Sequence, residues 1–219
     1  GITVFGRALL TQVDAIVDGV HRGVLFDDSA IDTATSLRVS GHFTQCTSGI
    51  WVNGARGASG QVDISRVAFT YGALAIWLQN CDIPRIRDCV NDPGASALTQ
   101  RFLHAEDCTN LEIRNCLARA TSSSTLNTIS LERCDNLSIT SCEIQGGRAT
   151  SVLLAACGAA KIRSTQISGK GVHATKTFAA ASRVHALVLY QCDSARLRDV
   201  QVVGGIYVHE GVGKTILQD

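Results

Sequence analysis

Glu106 and Glu132 each stand two places before a cysteine, and His104 stands four places before the same cysteine as Glu106. Directly before the two cysteines come Asp107 and Arg133. Two carboxylates on adjacent strands would sit about 5 Å apart at the backbone, compatible with the roughly 5 to 5.5 Å carboxyl separation of retaining glycosidases. Such a pair divides the labour, one carboxyl acting as acid and the other as nucleophile or stabiliser. Trp77, in the same relative position one repeat earlier, suits stacking on a sugar ring, with His104 and Arg133 orienting the sugar and Asp107 and Tyr190 adding contacts. The catalytic set expected is therefore Glu106, Glu132 and His104. The alternative is that these outward Glu and Arg residues solvate a sheet face and pair across strands.

Other residues offer different chemistry. Arg85, Arg87, Arg114, Lys161, Arg163, Arg196 and Arg198 alternate with apolar residues along a second set of segments. An arginine fork matches carboxylate or phosphate, so Arg114 and Arg163 enter the substrate-binding set. The stripe fits three roles: holding an acidic polysaccharide, docking against another subunit, or facing solvent. A long segment, residues 169–183, carries Lys170, His173, Lys176 and Arg183; His173 and Lys176 are read as substrate contacts, against a solvated loop. If the chemistry were β-elimination or epimerisation of uronates, Arg would neutralise the substrate carboxylate while His173, His104 or a lysine removes a proton.

Several classes are disfavoured. Twenty basic against 19 acidic residues leave no general basic field, and no aromatics interleave with the arginines, so nucleic acid is not expected. GVGK at 211–214 lacks the full phosphate-loop spacing. The nine cysteines show no CxxC or Cys/His metal spacing, so neither a metal nor a cofactor is expected. No apolar run approaches ~20 residues, which argues against membrane insertion.

The elements that must position these residues follow from a repeat. IWLQNCDIPRIRDC (76–89), LHAEDCTNLEIRNC (103–116), ISLERCDNLSITSC (129–142), VLLAACGAAKIRST (152–165) and LVLYQCDSARLRDV (187–200) align without a gap. Cys81, Cys108, Cys134, Cys157 and Cys192 form one column; Cys89, Cys116 and Cys142, then Thr165 and Val200, form a second; Cys46 falls outside both. Apolar residues alternate, as in Ile129/Leu131 and Leu137/Ile139, the period of strands. Each repeat thus offers three short strands, and parallel stacking makes ladders of like residues. Stacked cysteines at about 4.8 Å exceed disulfide Cβ separations of about 3.5 to 4.5 Å, so the columns are read as unbonded packing devices. A hydrophobic content of 45% with only 5% aromatics suits a narrow layered interior. Segments 37–43, 49–54 and 62–69 look like earlier, degenerate coils, whereas Leu9, Val13, Ile16, Val17 and Val20 fall on helical spacing and suggest a capping helix. The expected organisation is a cap or irregular coils over 1–36, a β-helix over 37–210 and a tail over 211–219.

Strings such as CDNLSITSCEIQ (134–145) and CTNLEIRNC (108–116) resemble the repeat of the pectate-lyase-like superfamily and of bacteriophage tailspike β-helix domains. The resemblance spans about residues 37–210. It implies an all-β, right-handed, single-stranded parallel β-helix of about 25 residues per coil, a polysaccharide ligand, a homotrimer, and an extracellular or virion-tail setting. Departures are the absence of Gly-Asp-Gly and Asp-Pro-His signatures, Asp92 and Pro93 being followed by Gly94. The leading expectation is a tailspike-like depolymerase of a bacterial surface glycan. The alternatives are a non-catalytic shaft or adhesin, and a uronate lyase or epimerase.

Overall fold

The computed structural model describes residues 1–5, 10–27, 36–56, 61–70, 72–92, 101–121, 124–169, 185–209 and 212–218. Across them the chain winds as an all-β parallel β-helix with about 26 residues per turn. The first strands of the coils, among them Ser48–Asn53, Leu74–Gln79, Arg101–Glu106, Ile129–Glu132, Val152–Ala155 and Leu187–Tyr190, form a nine-stranded sheet. Second and third strands share a twelve-stranded sheet. It divides into two arms where a coil bends sharply, as between Glu112–Arg114 and Leu117–Arg119, and reunites in the continuous strands Gln61–Thr70 and Ala159–Ser168.

The alternation read from the repeats supplies the core. Ile50, Ile76, Leu103, Ile129, Val152 and Leu187 stack in one inner column, and Ile64, Ile86, Ile113, Ile139, Ile162 and Leu197 in another, none more than 3% exposed. Each fully buried aliphatic side chain contributes about 1.5 to 3 kcal/mol.

The corners share one device. Every cysteine follows a residue in the left-handed region: Gln45, Asn80, Asp88, Asp107, Asn115, Arg133, Ser141, Ala156 and Gln191, with φ between 52° and 54°. The bend keeps the ladder intact, because the left-handed residue donates its N–H to the next coil, as Asp107 does to Glu132 O at 3.1 Å and Arg133 to Ala155 O at 2.9 Å. The residue after the cysteine bonds the preceding coil, as Thr109 does to Cys81 O at 2.9 Å. The inward thiol donates to the carbonyl two residues back at 3.2 to 3.6 Å in all nine cases. Cys46 therefore uses the same corner even though it lies outside both columns. Thr165, which replaces a cysteine in the second column, follows Ser164 at φ 46° and makes the same bond to Arg163 O at 2.7 Å.

All nine cysteines are free and buried, as the ladder spacing requires. Their neighbours change their acidity. Donation of the Cys134 S–H to the Cys108 sulfur, together with burial, pushes Cys134 up to about 12, and donation to the Cys134 sulfur with burial does the same to Cys157.

The capping helix expected near the start does not form. Leu10–Asp18 is a strand paired along its whole length with Ser36–Thr44. Val13 and Val17 are buried, but Ile16 turns outward and is 86% exposed. A four-residue separation satisfies both the helical and the alternating period, so Val13 and Val17 do not discriminate, and the ladder to the next coil decides. Leu9 lies outside the described residues. Strands Ile2–Phe5 and Arg22–Asp27 before residue 37, and Lys214–Gln218 after residue 210, pair within the same two sheets.

Two outcomes follow. Ala156 sits at φ 52° and is exposed, so Ala156→Val should lower unfolding stability by about 1 to 2 kcal/mol relative to Ala156→Gly, read as a shift in denaturant midpoint; equal midpoints would mean that the corner is not left-handed. Because the folded thiols ionise later than unfolded ones, their contribution is complete below pH 9 and is lost as pH rises from about 9 to about 12. Thermal melts across that window should fall with pH, and a thiol reagent near pH 8 should label the folded chain far more slowly than the unfolded one.

Candidate functional site

The outer face of the first sheet carries its side chains in register. One column runs Leu25, Trp51, Trp77, His104, Ser130, Leu153 and Val188; the next runs Asp27, Asn53, Gln79, Glu106, Glu132, Ala155 and Tyr190. Glu106 and Glu132 are thus direct neighbours, as are Trp77 and His104. A carboxylate oxygen of each glutamate and a ring nitrogen of His104 all lie within 4.8 Å of one another.

The hydrogen bonds fix how this group is organised. Arg101 Nη1 is 3.0 Å from His104 Nδ1, and a guanidinium can only donate, so Nδ1 accepts and the ring proton resides on Nε2. Nε2–H then donates to Glu106 Oε1 at 3.0 Å. On the other side of Glu106, Arg133 Nη2 lies 3.7 Å from Oε2. Glu132 is served differently, accepting from the Ser130 hydroxyl at 3.3 Å. His104 is only 9% exposed, whereas the Glu106 side chain keeps 23% of its surface, enough for a ligand to reach the carboxylate.

Arg101 is the group that sequence reasoning missed. Burial pulls its guanidinium down from its ordinary value, opposed by the charges of Glu132 and Glu106. Strict alternation from His104 would not place Arg101 on the same face. The chain reverses its phase at two consecutive inward residues, Phe102 and Leu103, both 0% exposed, with Phe102 packed edge-on against Phe69. The repeated pattern of two adjacent buried positions in Gly49–Ile50 and Ala75–Ile76 is the signal that carries this phase change. Asp27 and Asn53, joined by a 3.1 Å bond, extend the polar column upstream but lack the cysteine that marks later coils.

The other expected residues separate into groups. Asp107 and Arg133 are paired through two bonds, Nε to Oδ1 at 2.8 Å and Nη2 to Oδ2 at 3.1 Å. That guanidinium holds the Asp107 carboxyl below its usual range, with burial opposing only in part. Trp77 stacks face to face on Trp51, ring centres 4.6 Å apart and 2° from parallel, and meets His104 on its opposite side at 5.7 Å. Its faces are therefore turned along the stack toward neighbouring coils, and its edge is what a ligand would meet. Tyr190 shares the glutamate column but lies two coils beyond Glu132, with its ring against His209 at 4.5 Å. Arg114 and Arg163 belong to the second sheet, both paired with Thr140 from opposite sides, and do not join the glutamates. His173 and Lys176 lie outside the described residues.

His104, Glu106 and Glu132 each offer one atom to a cation. The His104 Nε2 proton points at Glu106, however, so the arrangement works as a hydrogen-bonded relay, and a metal would have to displace that proton.

Neither a protein-family model, nor a curated protein, nor a solved structure matches this chain.

The Asp107–Arg133 pair provides a test of this geometry in solution. In Arg133→Gln the Asp107 carboxyl should titrate at higher pH than in the wild-type chain, followed by carbon NMR of the side chain; an unchanged titration would mean the two-bond pair does not form.

Proposed function

We propose that this β-helix binds a polysaccharide along the outer face of its first sheet and cleaves a glycosidic bond with Glu106 and Glu132, in the manner of the tailspike-like depolymerases whose repeat it resembles. The observation that carries the reading is the pair of partly exposed carboxylates on adjacent coils, with oxygens within 4.8 Å of one another and of His104. Their different hydrogen bonding assigns the roles. Glu106, which accepts a hydrogen bond from His104 Nε2–H and faces Arg133, is the candidate for the nucleophile or charge stabiliser. Glu132, whose hydrogen bond among the described residues comes from the neutral Ser130 hydroxyl, is the candidate for the acid that serves the leaving oxygen. Arg101 acts on His104, holding the imidazole in the tautomer that supports Glu106. The ladder geometry suits a polymer, since Asp27, Asn53 and Gln79 continue the polar column for three coils on one side of the pair.

A non-catalytic shaft or adhesin is the second reading. It is favoured by the extent to which the outer side chains already satisfy one another, as in the Asn53–Asp27 and Asn80–Asn53 bonds at 3.1 Å.

The deciding experiment is a screen of acidic and neutral bacterial polysaccharides, following new reducing ends and unsaturated products with the wild-type chain, Glu106→Gln and Glu132→Gln. Hydrolysis by this pair predicts reducing ends without unsaturated products, and a loss of at least about 10²-fold in either variant. Activity untouched by both substitutions would remove the pair, unsaturated products would turn the assignment to a lyase, and binding without cleavage would leave the adhesin.

A further inference from the structure

The second sheet carries an outward column that runs Arg38, Asp63, Arg85, Glu112, Ser138, Lys161, Arg196 and Ile216. Beside it a second column contains Arg87, Arg114, Thr140, Arg163 and Arg198. The two halves of these columns are built differently. In the first half opposite charges close on one another, Arg85 with Glu112 at 3.7 Å and Arg87 with Asp63, although Arg87 and Arg114 are also directly adjacent. In the second half Lys161 and Arg196 are directly adjacent, as are Arg163 and Arg198. Among the described residues only Arg198 has an ion pair there, with Asp199 at 3.4 Å. Lys161, Arg163, Arg196 and Lys214 are all exposed.

Adjacent like charges on neighbouring strands are destabilising unless an anion lies between them. A groove of about 270 Å³ opens at this place, with Lys161, Arg196 and Lys214 on its walls and the small residues Ala159, Ser194 and Ala195 around them. The outward side chains beside the cations, Ala159 and Ser194, are small, so a chain lying across the strands can reach three cations at once. Lys161 and Arg196 stand one coil apart, about 4.8 Å at the backbone, and Lys214 lies on the next coil opposite Ser194, two residues off their column, so the three form an offset cluster that suits a polymer carrying several negative charges.

We infer that the Lys161–Arg196–Lys214 groove is a second glycan-binding site, on a different sheet from the glutamate pair, and that its ligand is a carboxylate-bearing polysaccharide. This inference deepens the polysaccharide reading by giving the polymer its charge. It makes the stretch of basic residues a holding site, not part of the cleavage chemistry. Arginine and lysine here act through charge-assisted bonds to carboxylates. The absence of aromatic side chains among the groove residues disfavours nucleic acid, which uses base stacking.

The test measures binding in the Glu106→Gln/Glu132→Gln background, so that cleavage plays no part and a failure of the catalytic reading leaves the outcome interpretable. The probes are a polyuronate, the same polymer with its carboxyls methyl-esterified, and a single-stranded DNA, each titrated by calorimetry at low and high salt. The polyuronate should bind and weaken with salt, and the ester should bind at least roughly tenfold more weakly. Substituting Lys161, Arg196 and Lys214 together by Gln should cost at least about tenfold in polyuronate affinity. Arg85→Gln, at a cation already paired with Glu112, should change it little. Equal binding of polyuronate and ester, no effect of the triple substitution, an effect of Arg85→Gln as large as that of the triple, or DNA bound as tightly as polyuronate would each overturn the inference.

Discussion

The left-handed corner is the constraint on which the rest of this molecule depends. A strand that must turn and remain in a parallel ladder has to change direction without losing backbone hydrogen bonds, because unpaired buried amides are costly. One residue near φ 52° to 54° achieves this, with its own N–H bonded to the next coil and the residue after the cysteine bonded to the previous one. A left-handed L residue costs about 1 to 2 kcal/mol, and it is affordable because each corner preserves the ladder on both sides. The inward position that follows is narrow and lies at a strand end. Cysteine suits it as a small apolar group whose weak donor finds the carbonyl two residues back. Thr165 meets the same demand with a hydroxyl.

Once the corners set the register, the outer face becomes a set of columns in which every side chain has a neighbour one coil away. This makes unusual juxtapositions easy to build. Two glutamates meet because they occupy the same place in adjacent coils. A histidine is held between an arginine and one of those glutamates, so its tautomer follows from donor counting alone. On the second sheet the same rule brings cations together where no acidic residue intervenes. Stacking thus concentrates charge along the axis of the β-helix.

Much of this was legible from the chain. Cysteine spacing and the two-residue apolar period lead to coils, strands, unbonded thiols and the adjacency of Glu106 with Glu132. The first coil was not legible, because its corner at Gly19 lacks a marking cysteine and because Val13 and Val17 satisfy two periodicities at once. Arg101 was hidden by the phase reversal at Phe102 and Leu103, where two consecutive side chains turn inward. Trp77 was recognisable as outward-facing, but the direction of its ring was not, since that depends on Trp51 lying directly beside it in the preceding coil.

The sequence by itself determined the coil period, the inner columns and which residues share an outer column, because those follow from chain-local alternation and a repeat length that parallel stacking must respect. Tertiary structure alone decided the partners: Arg101 on His104, Arg133 across Asp107, Trp51 over Trp77, and the gathering of Lys161, Arg196 and Lys214 around one groove. The reason is physical. A column fixes where a side chain starts, about 4.8 Å from its neighbour, but long side chains reach farther than that, and which donor meets which acceptor depends on rotamers and burial that no single coil specifies.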